Sequence, residues 1–300
     1  MSRSVWTQKT MKASSLIRNY RNWFFIKGHS IIPALMRIIF GILYLWILWD
    51  FDPIRKLLFE NGTLSGLLSS NVSVTEFFSQ GRYDSIWYYI SIVVASLTVM
   101  GCGSRLMICL TWLSMFYMHC KLDPIMFGAD RLLLMVGFWL IFLDCGSKWS
   151  IDSIFRKRKN QIELWPIRCI QIQIALMYLI AGVWKLFVPE WRDGSALFYA
   201  LQLRQVNRLP IVELRNFPNL ISFFTYGSLG IELLFAPFLC FKYLRIFAIY
   251  SSIALQIGIF FSMSISFFQW IVGWSMLAFL SRKPFKKRIE FGTLKSMLNK

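Results

Sequence analysis

The sequence predicts an all-α, polytopic integral membrane protein: a helical bundle of about eight transmembrane helices. Three observations lead there. Of the 300 residues, 56% are apolar and 16% are charged, where an ordinary soluble domain carries about 25% charge. The 28 Phe and 13 Trp bring more apolar surface than one compact domain of this length can hide from water. The apolar residues also fall in runs near the ~20 residues with which a helix crosses about 30 Å of hydrocarbon. Composition thus excludes a soluble globular enzyme, and part of the solvent is lipid.

Eight runs qualify as spans. They begin near Ile31, Ile86, Leu106, Leu132, Ile170, Leu220, Ile246 and Phe267, and end near Trp49, Met100, His119, Leu143, Phe187, Phe241, Phe261 and Leu280. The first follows a basic segment as a secretory signal would, but it is too long for a signal core and lacks a small-residue cleavage site, so it reads as a retained anchor. The outer loop after it carries the sequons Asn61-Gly-Thr and Asn71-Val-Ser, which read as chance occurrences. Spans two and three are joined only by residues 101–105, where two glycines and Ser104 favour a tight reversal. Asp130-Arg131 opens the fourth span. The loops at 50–85 and 189–219 have room for interfacial helices, with 196–206 a candidate. Spans seven and eight are separated only by residues 262–266. No repeat or linker divides the chain, which reads as a basic cytoplasmic segment (1–30), one membrane domain (31–281) and a basic cytoplasmic tail (282–300).

A net charge of +18 would suggest nucleic acid as a partner of a soluble protein. Its placement along the chain argues otherwise. With eight alternating spans, one set of loops and both ends together hold 22 Lys and Arg against 4 Asp and Glu, while the opposite loops hold ten of each sign. Basic residues collect on the cytoplasmic side, so both termini are expected there, in a bacterial cytoplasmic membrane. The basic face then meets anionic lipid heads, not nucleic acid.

Metal and disulfide chemistry find no support. The cysteines at 102, 109, 120, 145, 169 and 240 include no CxxC pair, and neither a disulfide framework nor a zinc site is recognisable. His29 and His119 fall on opposite faces of the predicted bilayer and cannot share a metal. No HExxH, GxSxG, Walker or Rossmann pattern occurs.

A charge inside a span is costly and calls for a partner or a task. Arg37 and Glu232 are the two clear cases. Counted from the cytoplasmic ends of spans one and six, their depths differ by only ~5 Å, and an intramembrane ion pair between them is expected. The fifth span is chemically richer: Gln171, Tyr178, Gly182 and Lys185 fall on one helical stripe. Lys185 lies near the outer mouth, where two readings stand. Its amine snorkels to water over an apolar stem, or it sits in an apolar pocket where the neutral amine acts as a base. Asp84, Asp123 and Asp130 are placed outside, as a polar rim.

The segment Ala181-Gly-Val-Trp-Lys-Leu-Phe-Val-Pro-Glu-Trp-Arg-Asp-Gly194 resembles the HTTM family, the membrane domain shared by vitamin K-dependent γ-glutamyl carboxylases and many smaller bacterial proteins. Ala34-Leu-Met-Arg-Ile-Ile-Phe-Gly41 is similar to the family's first-span motif, Glu60-Asn-Gly-Thr-Leu64 to the loop after it, and Phe142-Leu-Asp-Cys-Gly-Ser-Lys-Trp-Ser-Ile-Asp152 to the turn after the fourth span. In the carboxylases, the lysine of the Ala-Gly-x-x-Lys-Leu motif is the base that deprotonates vitamin K hydroquinone. The resemblance therefore implies Lys185 as candidate base and a quinone or hydroquinone as candidate cofactor. The carboxylase histidine preceding the Leu-Asp turn corresponds here to Ala129, beside Asp130. In size and single-domain form the chain is similar to the sporulation-delaying-protein B type, which acts with a partner in maturing a secreted toxic peptide.

Three readings follow. The first is an accessory in the maturation of a secreted peptide, with an accessory protein as partner and an outward cavity lined by spans one, five and six, at whose mouth Tyr178, Lys185, Trp191, Gly194 and Asp130 gather. The second is a carboxylase-like enzyme in which Lys185 acts on a reduced quinone. The third is a noncatalytic immunity or transport protein; the few embedded polar groups make a path for transport the hardest to build.

Overall fold

The computed structural model describes residues 21, 23–54, 84–122, 128–155, 161–203, 208, 217–241, 243–265 and 267–280. Both sequons, most of the first basic segment, the tail from residue 281 and the end of the proposed interfacial segment at Val206 lie outside the described residues.

Eight helices of nine residues or more are found among the described residues, each at a predicted span. They are α1 (Ile31–Phe51), α2 (Asp84–Met100), α3 (Ser104–Leu122), α4 (Gly128–Ile141), α5 (Trp165–Lys185), α6 (Pro218–Cys240), α7 (Leu244–Ser262) and α8 (Phe268–Met276). Prolines open α5 and α6 in the first turn, where a backbone N–H has no intrahelical partner to lose. On length and apolarity, four of the eight are able to cross a membrane by themselves: α1, α5, α6 and α7. The structure thus supports four of the eight expected crossings on this measure. The shortfall has local causes. α4 has only 14 residues, and α3, though 19 residues long, spends its ends on Arg105, His119 and Lys121.

Successive helices run in opposite directions, as side-chain contacts along their lengths show. The Tyr88 hydroxyl of α2 donates to the Leu48 carbonyl near the end of α1 (3.1 Å). Thr98 meets Thr111 (2.8 Å) and Ser91 meets Ser114 (2.5 Å) between α2 and α3, and Trp139 Nε1, near the end of α4, donates to Gln173 in the first half of α5 (2.7 Å). α8 closes the bundle against α1: Trp46 packs on Phe267 and Trp270, while Trp274 Nε1 donates to the Met36 carbonyl (3.0 Å). A short antiparallel pair, β1 (Lys27–His29) with β2 (Gln161–Glu163), ties the start of α1 to the start of α5, in the register Lys27↔Glu163. Three-residue strands are too short to leave a period-two pattern in the sequence.

The core centres on α1, whose Phe40, Tyr44 and Ile47 are buried with Leu133 and Val136 of α4, Ile170 and Ile174 of α5, and Ile271 of α8. The outside is apolar as well: Ile90, Phe223, Phe247 and Phe261 are each more than half exposed. In water such a continuous surface would drive association; in lipid it is ordinary. The reversal expected at 101–105 is present, and its Gly101 has φ +71°. A Cβ there would be strained and would fall on the Arg37 guanidinium.

Candidate functional site

Lys185 ends α5, and its amine turns to the neighbouring helix. α5 and α6 pack antiparallel, and Gly182 lets them approach so closely that a Cβ at that position would lie 3.0 Å from the Leu233 side chain. That approach brings Lys185 Nζ to 2.6 Å from Glu232 Oε1. Glu232 lies about four turns, or ~20 Å, into α6. α6 therefore extends well past the end of α5, and the chain after Lys185 folds along that extension. The Tyr226 hydroxyl donates to the Arg192 carbonyl (2.9 Å), and the Leu197 N–H donates to the Thr225 hydroxyl (3.2 Å). A helical turn at Pro189–Arg192 carries Trp191 to the site, and a short helix at Ala196–Gln202, within the segment expected to be helical, packs on α6. Lys185 thus has an ion-pair partner on α6, which neither reading of its amine had included.

Trp191, on the first of these turns, places its ring over the amine, with Nζ 4.1 Å from the ring centroid. Lys185 thus has a carboxylate and a π face as partners, and its side chain is 25% exposed. The second carboxylate oxygen, Glu232 Oε2, is buried with no hydrogen-bond partner. Gly194 makes the turn into the short helix with φ +83°, and a Cβ there would meet Ser222 and Tyr226 at 3.0 Å. Next to it, the Ser195 hydroxyl (2.5 Å) and N–H (2.9 Å) donate to Asp193, and these bonds hold the Asp193 carboxyl below the usual carboxylate range.

The pairing of Arg37 with Glu232 expected from their depths does not occur. α6 packs mainly on α5 and α7, so Glu232 meets the lysine of its neighbour. Arg37 is fully buried and turns instead toward the reversal between α2 and α3 and the turn after α4. Its guanidinium donates to the Ser104 hydroxyl (3.3 Å), to the carbonyls of Cys145 (3.3 Å) and Val99 (3.5 Å), and to the Trp149 carbonyl. Glu232 stands level with Lys185 at the far end of α5, whereas Arg37 lies about two turns into α1, whose start is tied to the start of α5, so the two charges also differ in height along the bundle.

Tyr178, two turns inside Lys185, is buried against Phe235, with ring centroids 4.5 Å apart. Its hydroxyl meets Ser252 Oγ (2.6 Å) and accepts from Gln256 Nε2 (3.1 Å), both on α7. Gln256 Oε1 is another buried acceptor without a partner. Ser252 and Gln256 were not singled out from the sequence, although their i, i+4 spacing in an apolar run marks one polar face. Asp130 does not join this group in any described contact; it sits near the start of α4, where it acts electrostatically on His119 of α3. The structure thus brings Lys185, Glu232 and Trp191 together, sets Gly194 against Ser222 and Tyr226 of α6, and places Tyr178 two turns back along α5.

No group of three or more His, Cys, Asp or Glu residues suited to a metal occurs among the described residues. Lys185, Glu232 and Trp191 offer an amine, an acceptor oxygen and an aromatic face, a set that suits an organic ligand carrying a donor hydroxyl or amide. No solved structure matches the chain. The HTTM domain family is matched over residues 29–283, a span that takes in all eight helices and both the Lys185 and the Arg37 clusters. The chain belongs to the HTTM family and is a membrane protein of that carboxylase-related family.

Proposed function

We propose that this protein serves in the maturation of a secreted peptide in a bacterial cytoplasmic membrane, and that the Lys185, Glu232 and Trp191 cluster is where its substrate is met. In this reading both termini are cytoplasmic, the basic inner face rests on anionic lipids, and an accessory protein and the peptide are the partners. The observation that carries it is the partly buried pair at 2.6 Å with Glu232 Oε2 left over. A buried acceptor without a donor costs about 1–3 kcal/mol, and a substrate N–H or O–H removes that cost on binding. Moving one proton along the short Nζ to Oε1 hydrogen bond exchanges the ion pair for a neutral amine and acid. In a low-dielectric site those two forms lie closer in energy than in water. The amine form is a base; the acid form is a donor.

The test is a comparison of secreted peptides from the native host. Deletion of the protein and Lys185→Ala are each expected to change the mass or abolish the appearance of one secreted peptide, with the variant still present in the membrane at wild-type level. A secreted profile unaltered by the deletion would overturn the reading.

A second reading, a carboxylase-like reaction on a reduced quinone, is favoured by the same leftover oxygen beside the Trp191 face. A quinol offers both a hydroxyl donor and a ring to stack, and Lys185 would take its proton. Purified protein is then expected to retain a quinone, and Lys185→Ala to lose it. Equal retention by the two proteins would remove this reading.

A further inference from the structure

At the other end of the bundle, where α1 and α5 begin, a cavity of about 660 Å³ opens between the first turns of α3 and the turn after α4. It lies the length of α5, roughly 30 Å, from Lys185, and is independent of the function proposed for that residue. Its rim is held from two sides. Arg37 gathers the carbonyls of Cys145, Val99 and Trp149 from behind. Asp152 accepts from the N–H groups of Gly103 (2.8 Å) and Ser104 (2.7 Å) and from the Ser104 hydroxyl (2.8 Å). These bonds join the α2–α3 reversal to the turn after α4, so the opening is part of the fold.

The lining is amphipathic. Leu106, Ile141 and Leu143 form an apolar wall; Arg105, Asp144 and Asp152 are its charged groups. Asp152 is engaged by the bonds just described. Arg105 is exposed and has no hydrogen bond or salt bridge among the described residues. Asp144 supplies a carboxylate on the same rim, and a carboxylate accepts several donors at once. A cation, an anion and a greasy wall at a membrane boundary complement a zwitterion that carries a tail. We propose that this cavity binds the headgroup of a phospholipid with a primary ammonium. Its phosphodiester lies against Arg105, its ammonium against Asp144, and its acyl chains leave along Leu106 and Ile141 into the bilayer.

The full chain in detergent, titrated with phosphatidylethanolamine, phosphatidylcholine or phosphatidylglycerol of identical acyl chains and read by native mass spectrometry, tests this. Phosphatidylethanolamine is expected to bind about tenfold more tightly than the other two, the worth of one charge-assisted hydrogen bond, because the methylated choline cannot donate and glycerol carries no cation. Arg105→Ala is expected to weaken all three by about tenfold. Asp144→Asn should erase the preference for ethanolamine over choline, and Lys185→Ala should leave binding as it was. Water-soluble glycerophosphoethanolamine at the same concentration should not displace the lipid. Equal binding of the three lipids by the unaltered protein, undiminished binding by Arg105→Ala, or displacement by the soluble headgroup would each overturn the proposal. The lipid comparison on the unaltered protein decides the matter even where a variant fails to fold.

Discussion

Arg37 shows at the scale of one residue how a charge inside an apolar helix is tolerated. Its planar, five-donor guanidinium is spread over three backbone carbonyls and the Ser104 hydroxyl, and among the described residues it forms no salt bridge with a carboxylate. A lysine at this position has a single nitrogen and cannot fan out in the same way. Arg37→Leu leaves those buried carbonyls without their donor, so a loss of about 3 kcal/mol is expected, read as a lowered midpoint of thermal unfolding in detergent; an unchanged midpoint would mean the network is ornamental. Arg37→Lys should recover only part of the loss. Cys145 stands in the same cluster, where burial pushes its thiol up to about 12, the Arg37 charge offsetting part of that effect. A group raised in this way stays protonated at every pH below its folded value, so at pH 8 its thiolate is scarce. Cys102, on the exposed α2–α3 reversal, is expected to react with maleimide within minutes while Cys145 stays unlabelled, as mass spectrometry of tryptic peptides will show. Arg37 was singled out by its sequence position alone, but nothing local says that its partners are carbonyls from residues 99, 145 and 149.

The pairing of α5 with α6 is where a helix-scale feature makes the candidate site. Gly182 sets the separation, the antiparallel register sets Lys185 opposite Glu232, and the turn after α5 brings Trp191 over both. Removing one member of this partly buried pair strands the other, at a cost between the ~1 kcal/mol of an exposed pair and the ~3–5 kcal/mol of a fully buried one. Glu232→Gln and Lys185→Met are each expected to lower the unfolding midpoint. The double replacement should cost less than the two singles together, and a strictly additive double mutant would show the pair to be uncoupled. Gly182→Leu acts on the register instead. Its side chain would meet Leu233 and force the helices apart, so any function of Lys185 should be lost even though Lys185, Glu232 and Trp191 are all intact. The helices themselves were legible: α1 begins at Ile31 and α7 ends at Ser262, where apolar periodicity starts and stops. The site was half legible. Lys185, Trp191 and Gly194 come from one continuous segment and could be grouped by eye, whereas Glu232 was assigned to the wrong partner because its neighbour is chosen by packing.

For the whole molecule, the alternating directions of eight helices bring Lys27–His29 and Leu280 to the same end of the bundle, together with the Cys102 reversal and the cavity beside Arg105. Lys185 and the turn that carries Trp191 occupy the region toward the other end. In intact cells, a membrane-impermeant maleimide is expected to miss Cys102 and to reach it only after the membrane is opened, as the positive-inside rule requires; labelling from outside would invert the topology. What the sequence by itself determined is the apolar solvent and the places along the chain where helices form. Apolar runs of a given length and the placement of +18 charges are properties of local stretches, and water or lipid reads them stretch by stretch. Only the tertiary structure decided which polar groups meet. Helix neighbours, their register and the turn that carries Trp191 to Lys185 depend on how side chains from distant segments interlock, and close packing is satisfied by the whole set of contacts at once. Which charge meets which is therefore a choice that composition and spacing leave open, and the close approach at Gly182 brings Lys185 to Glu232.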